Sequence, residues 1–156
     1  MFKLCLCLAG LALLWPNSSY SDQVVRIRII NAKDGQPLKN QPIAVSLLYE
    51  KGEKPAASSD APLALDTGAN GEALLHLAEP VPAHLSAQVR LTSPYWRCAC
   101  IALLATEDVL QKGATPDTTQ SRESSAASPK AQPGEILFIA RPLTFMERIL
   151  YPFLKQ

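Results

Sequence analysis

Hydrophobic and polar residues alternate with a period of two along most of the chain between residues 23 and 104. In the first run, Val25, Ile27 and Ile29 fall on one face and Arg26 and Arg28 on the other. This alternation is typical of a β-strand with one buried and one solvated face. Runs of similar character occupy residues 43–49, 63–66, 72–78, 85–92, 95–104 and 135–141. About seven short strands, with no helix between the first six, predict an all-β, two-sheet sandwich.

The run from Tyr95 to Leu104 is more continuously apolar than the others. Such a run predicts a single central strand that is buried on both faces. In that strand Tyr95 and Trp96 would occupy opposite faces. Trp96 is expected to fill the space between the sheets. The alternative is that Tyr95 or Trp96 is exposed and contacts a ligand by stacking on a sugar or a peptide.

Two segments carry strong turn signals, residues 34–38 (Asp-Gly-Gln-Pro-Leu) and residues 67–73 (Thr-Gly-Ala-Asn-Gly-Glu-Ala). Gly35 and Gly71 each supply the positive φ that such turns require. Residues 25–47, which contain the first of these segments, and residues 67–73 resemble carboxypeptidase regulatory-like domains. The resemblance covers about half of the chain and implies a transthyretin-like, immunoglobulin-like β-sandwich.

The C-terminal segment 133–148 resembles the ending of small exported bacterial proteins of the same type. The resemblance implies no assigned activity. In that group a cysteine near the position of Cys98 tends to be matched by another in the following loop. Residues 105–133 of this chain contain no cysteine, so the chain departs from that pattern.

The first 21 residues have the order of features found in a secretory signal peptide. Lys3 precedes an apolar stretch from Leu4 to Trp15, and the small residues Ser19 and Ser21 precede Asp22. The apolar stretch is too short to span a bilayer. The predicted organisation is therefore a signal peptide (1–21), a β-sandwich domain (22–143) with a long flexible loop (111–134), and a C-terminal helix or tail (144–156). The mature chain is expected to be periplasmic or extracellular, without a transmembrane segment.

Two short helices are predicted near the end of the domain. Thr106 is expected to cap a helix that ends at Gly113. Thr144 and Glu147 form a capping-box pattern that opens a second helix. In that helix Phe145, Ile149 and Leu150 form an apolar stripe, for which docking on the sandwich is the preferred interpretation. The alternative is contact with a membrane or a partner protein.

Charge and motifs narrow the function classes. The formal net charge is +1 at pH 7, which argues against a nucleic-acid partner. The sequence lacks a nucleophile elbow, a phosphate-binding loop, a zinc-protease motif and a calcium loop. No catalytic residue and no cofactor are therefore expected.

Cys98 and Cys100 form the one cysteine pair that remains after signal cleavage. In an extended strand their Cα atoms lie about 6.5–7 Å apart, so a direct disulfide needs a bend or a bulge. The other interpretations are two buried thiols, an intermolecular bridge, or a soft-metal pair completed by His76 or His84. These two histidines lack close metal-ligand spacing to each other and to the cysteines.

Three function hypotheses follow. The first is an exported, non-catalytic β-sandwich module that binds an unknown protein or glycan at the cell envelope. The second is a small metal-binding or thiol-dependent protein that uses Cys98, Cys100 and a histidine. The third is a structural subunit linked by an intermolecular disulfide.

Overall fold

The computed structural model describes residues 23–52, 60–98, 100–116 and 129–150. The predicted signal peptide and the middle of the predicted 111–134 loop lie outside the described residues. The described residues form eight strands and two helices, which are β1 (Gln23–Asn31), β2 (Pro42–Leu48), β3 (Leu63–Asp66), β4 (Glu72–Leu77), β5 (His84–Val89), β6 (Trp96–Cys98), β7 (Ile101–Ala105), α1 (Thr106–Lys112), β8 (Glu135–Pro142) and α2 (Phe145–Leu150).

The strands build two four-stranded sheets, which we call sheet A and sheet B. The strand order is β4-β1-β8-β6 in sheet A and β3-β2-β5-β7 in sheet B. All neighbouring strands are antiparallel except β1 and β8, the first and the last, which pair in parallel. The predicted all-β, two-sheet sandwich with a short C-terminal helix is confirmed.

The core lies between the inward faces of the two sheets. Val25, Ile27 and Ile29 of β1 are fully buried, as their alternation predicts. Phe138, from the neighbouring strand β8, is the largest fully buried side chain of the described residues. Removing apolar surface from water at roughly 25 cal/mol per Å² drives the two inward faces together.

The segment 95–104 is not one central strand, and that prediction is wrong. The chain leaves sheet A after β6 and enters sheet B at β7, so two short strands replace the single one. Ile101 and Leu103 are 68% and 65% exposed, because alternate residues of β7 face outward from sheet B. An apolar outer face on β7 therefore produced the continuous hydrophobic run in the sequence.

The helix α1 begins differently from its prediction. Its N-cap is Ala105, which makes no side-chain capping bond. Thr106 is the first helical residue, and its Oγ1 atom is buried without a hydrogen-bond partner among the described residues. The predicted end is confirmed, since Gly113 has a φ of 74° and donates its N–H to the Val109 carbonyl. Neither described helix is long and apolar enough to cross a membrane.

Candidate functional site

Strand β6 and helix α2 meet at one end of sheet A. Arg97 pairs with Arg141 in the register of β6 and β8, and Trp96 pairs with Pro142. Just beyond the strands, the Leu143 N–H donates to the Tyr95 carbonyl at 2.7 Å. We refer to residues 95–98 and 140–150 as the β6–α2 end.

Glu147 holds α2 to the sandwich. Both guanidinium Nη atoms of Arg141 donate to its carboxylate at 2.8 Å, and Nη1 of Arg97 lies 3.1 Å from Oε1. The Thr144 N–H donates to Oε2 at 2.8 Å, and the Glu147 N–H donates back to Thr144 Oγ1 at 3.3 Å, which confirms the capping box. The Arg141 hydrogen bonds, followed by the Thr144 N–H, hold the pKa of Glu147 far below its usual range.

Arg148 provides a second attachment of α2. Its guanidinium carbon lies 5.6 Å from the centre of the Tyr95 ring, within the range of a cation–π contact. Its Nε atom donates to the Leu143 carbonyl at 3.2 Å. Since Glu147 and Arg148 make these contacts, the polar side of α2 faces the sandwich.

The apolar side of α2 therefore faces away from the sandwich. Phe145, Met146, Ile149 and Leu150 follow an i, i+1, i+4, i+5 spacing, which places them on one side of a helix. They are 76%, 63%, 48% and 49% exposed. The predicted docking of this stripe on the sandwich is wrong, because ion pairs and not apolar contacts attach the helix. We call these four side chains the α2 face.

The two aromatic residues at this end have different environments. Trp96 is half-buried and packs against the core, as its preferred interpretation predicted. Tyr95 is 52% exposed. Of the two candidate ligand-contact aromatics, Tyr95 is therefore the one that solvent reaches most freely, and Arg148 lies over its ring.

Cys98 and Cys100 are joined by a disulfide at the point where the chain crosses between the sheets. Their Cα atoms are 5.0 Å apart, which is shorter than the spacing of residues i and i+2 in an extended strand. The bend that this requires coincides with the end of β6. Both cysteines are half-buried and pack against the core.

The residues that the metal-site interpretation requires do not lie together in the described part of the chain. His76 lies on the outward face of sheet A and His84 on the outward face of sheet B, whereas Cys98 packs inward. The described residues contain no group of three or more His, Cys, Asp or Glu side chains placed to hold a metal ion. The structure thus separates the residues that this alternative needs to bring together.

A charged cluster on the outward face of sheet A was not predicted from the sequence. Arg28 Nη1 donates to Glu135 Oε1 at 2.9 Å, and Arg28 Nε lies 3.5 Å from Glu72 Oε1. Glu135 is buried, and its Oε2 atom accepts a hydrogen bond from the Gln132 N–H at 2.7 Å. Since strands β1 and β8 are distant in the sequence, the alternation of β1 alone did not reveal this partner.

The same cluster borders a shallow pocket of about 180 Å³. Val24, Arg26 and Leu74 line one side of it, and residues 132–135 line the other. Glu135, the acidic residue in this lining, is engaged by Arg28 and by backbone. The pocket therefore offers a stabilising ion pair and no pair of carboxylates that can act together as general acid and base.

The fold is an all-β sandwich of two four-stranded sheets, an architecture that supports many unrelated functions. Comparison with family models and with curated proteins found no match to the chain. Among solved structures, the chain is similar to the full-length major pilin SpaD from Corynebacterium diphtheriae at 11% identity, with a TM-score of 0.42. That similarity covers 78% of this chain and 30% of the pilin.

Two dioxygenase structures are also similar. The 3-chlorocatechol 1,2-dioxygenase from Rhodococcus opacus has 14% identity and a TM-score of 0.45, over 81% of this chain and 62% of the enzyme. The dioxygenase domain of a carbohydrate-binding fusion protein from Streptomyces sp. SirexAA-E has 15% identity and a TM-score of 0.38, over 78% and 82%. Similarities of this degree assign no activity to the chain.

Proposed function

We propose that this chain is an exported, non-catalytic β-sandwich module that binds another protein at the cell envelope through the α2 face. The observation that carries the proposal is the way in which α2 is attached to the sandwich. Its polar residues are used to hold it to sheet A, and its four apolar side chains are left exposed. Contiguous exposed apolar surface of this kind is typical of a site where a protein partner binds.

A protein ligand fits this end of the molecule better than a glycan does. Sugars stack on exposed aromatic rings, and Tyr95 is the aromatic residue available at the β6–α2 end outside α2. Arg148 already lies over the Tyr95 ring at 5.6 Å. By contrast, Met146, Ile149 and Leu150 offer flexible and aliphatic surface, which suits apolar contact with another protein.

Export is the part of the proposal that rests on the sequence. The basic Lys3, the apolar stretch from Leu4 to Trp15 and the small residues before Asp22 support secretion through a cleaved signal peptide. The resemblance of residues 133–148 to the ending of small exported bacterial proteins supports the same location. An oxidising compartment also suits the Cys98–Cys100 disulfide.

Site-specific photo-crosslinking tests the proposal in the native host. A photoreactive residue replaces Ile149 on the α2 face, and a matched one replaces Leu74, which is similarly exposed on β4. We expect a discrete crosslinked protein from position 149 and none from position 74. Introducing Met146→Lys should remove that product without lowering the melting temperature, because Met146 is exposed.

Three results would contradict the proposal. Identical crosslinking from both positions would mean that the contact is non-specific. Crosslinking to lipid instead of protein would assign α2 to a membrane surface. Binding to a glycan array that is lost in Tyr95→Ala but kept in Met146→Lys would move the ligand to the aromatic ring.

A further inference from the structure

The outward face of sheet B has an unusual composition. Strand registers place its outward residues in three central rows across the sheet. None of the residues that β2, β3, β5 and β7 contribute to these rows is an acid, a lysine or an arginine. The rows consist of Ala64, Ala44, Gln88 and Ile101, then Ser46, Ser86 and Leu103, then Leu48, His84 and Ala105.

Apart from Leu48 at the end of β2, the large apolar side chains of this face are separated from the small ones. Ile101 and Leu103 stand at the β7 edge and are about two-thirds exposed. Ala44, Ala64 and Ser46, on β2 and β3, form a low surface toward the opposite edge. One face thus carries two large exposed apolar side chains at one edge and small side chains toward the other edge.

Charges border the central rows at one end of the strands. Asp66 closes β3 opposite Pro42, and Arg90 follows β5 with its N–H donating to the Pro42 carbonyl. The acid and the base therefore lie on the same side of the face, separated by β2. Both residues are exposed.

We propose that two copies of this chain pack face to face through sheet B, about a two-fold axis parallel to the strands. This axis places β7 of one copy over β3 of its partner, so Ile101 and Leu103 rest on the low Ala and Ser surface. It also brings Asp66 of each copy to the end of the strands at which its partner carries Arg90. An interface with two-fold symmetry needs a self-complementary patch, and this face supplies both halves.

The dimensions of the face set the expected strength. Four strands about 4.8 Å apart and three rows of outward residues cover roughly 400 Å² of sheet per copy. A standard stable interface buries about 800 Å² per partner, so we expect a weak, concentration-dependent dimer. The proposal does not rest on the α2 face, which belongs to the other sheet.

Sedimentation equilibrium of the purified full chain tests the proposal at concentrations from about 1 µM to about 1 mM, a range chosen for a weak interface. We expect the mean mass to rise toward twice that of the monomer. Leu103→Lys should weaken the dimer at least about tenfold, because each dimer loses two buried leucines. Leu74→Lys, a matched change on the outward face of sheet A, should leave the dissociation constant unchanged.

A charge exchange tests the axis. Asp66→Arg alone should weaken the dimer, and the double change Asp66→Arg with Arg90→Asp should restore it. A folded protein that stays monomeric at about 1 mM would overturn the proposal, given that the face is large enough for weak association. So would a dimer insensitive to Leu103→Lys, a double exchange that fails to restore association, or a Leu103→Lys variant that loses stability as a monomer because its own chain covers the face.

Discussion

Removing the Cys98–Cys100 disulfide should cost the protein only a small part of its stability. The two cysteines are separated by two positions, so the bond closes a ring of three residues. In the chain-entropy treatment, a ring this small stabilises the fold by about 1.6 kcal/mol, compared with about 3 kcal/mol for a 15-residue ring. The bond therefore constrains the chain locally, where it crosses between the sheets, and contributes little to the overall stability of the fold.

The double variant Cys98→Ala, Cys100→Ala also loses two half-buried sulfur atoms. Each loss resembles the removal of about half of a buried methylene group, which adds about 0.8 kcal/mol for the pair. We therefore expect a total destabilisation of about 2–2.5 kcal/mol. With a urea dependence of about 1.5 kcal/mol/M, the unfolding midpoint should fall by about 1.5 M.

Equilibrium urea unfolding, followed by Trp96 fluorescence, measures this change. Reducing the unmodified protein separates the two contributions, because reduction opens the ring and leaves the sulfur atoms in place. Reduction alone should therefore lower stability by about 1.6 kcal/mol. Peptide mass mapping under non-reducing conditions should find Cys98 and Cys100 in one bridged peptide of a single chain.

Two results would refute this reasoning. A loss above about 4 kcal/mol would exceed what ring closure and packing supply, and would give the bond a larger structural role. A bridged peptide that joins two chains would make the disulfide intermolecular. That second result would favour the structural-subunit hypothesis over the binding module.

Other substitutions test individual contacts. Thr106→Val should raise stability by about 1 kcal/mol in thermal unfolding, because it removes a buried hydroxyl that has no partner among the described residues, and a decrease would reveal a missing partner. Glu147→Gln should release α2, seen as faster amide exchange in residues 146–150. In the unmodified protein α2 should stay attached as the pH falls through 4.5, since a lowered pKa keeps the carboxylate charged, and detach only at more acidic pH. Gly71→Ala should destabilise the fold by more than about 2 kcal/mol, because φ is positive and a Cβ would collide with Pro37. Gly35→Ala, at a similar φ but in open space, should cost only about 1 kcal/mol.

Most of the sandwich was predictable because the period of a half-buried strand is a local property. Val25, Ile27 and Ile29 alternate in the sequence and are all buried in the structure. The prediction of one strand over residues 95–104 was wrong because it relied on the same local property. The outward residues Ile101 and Leu103 are apolar, so the pattern lost its period and concealed the change of sheet.

The candidate site depended on contacts between distant residues. The sequence predicts that the apolar stripe of α2 docks on the sandwich, since an apolar helix face is normally buried. Its outward orientation is set by Arg141 and Arg97, which reach Glu147 from β8 and β6. The predicted cap of α1 was wrong for a different reason. The sequence shows that Thr106 can cap a helix, but it does not show that the helix already begins at Thr106, one residue earlier than a Thr106 cap requires.

The two sheets divide their outward surfaces between different uses. In sheet A the outward charges of Arg28, Arg97 and Arg141 form ion pairs within the chain, whereas the central rows of sheet B contain no acid, lysine or arginine among the residues their strands contribute. Pairing through sheet B would leave both copies of sheet A, and therefore both α2 faces, directed away from the dimer interface. A weak dimer would then present two binding helices together, and two linked contacts can exceed the affinity of one by 10²–10⁴, by a rough general estimate. Leu103→Lys should for this reason lower the avidity for a partner fixed on a surface while leaving the affinity of a single α2 face unchanged.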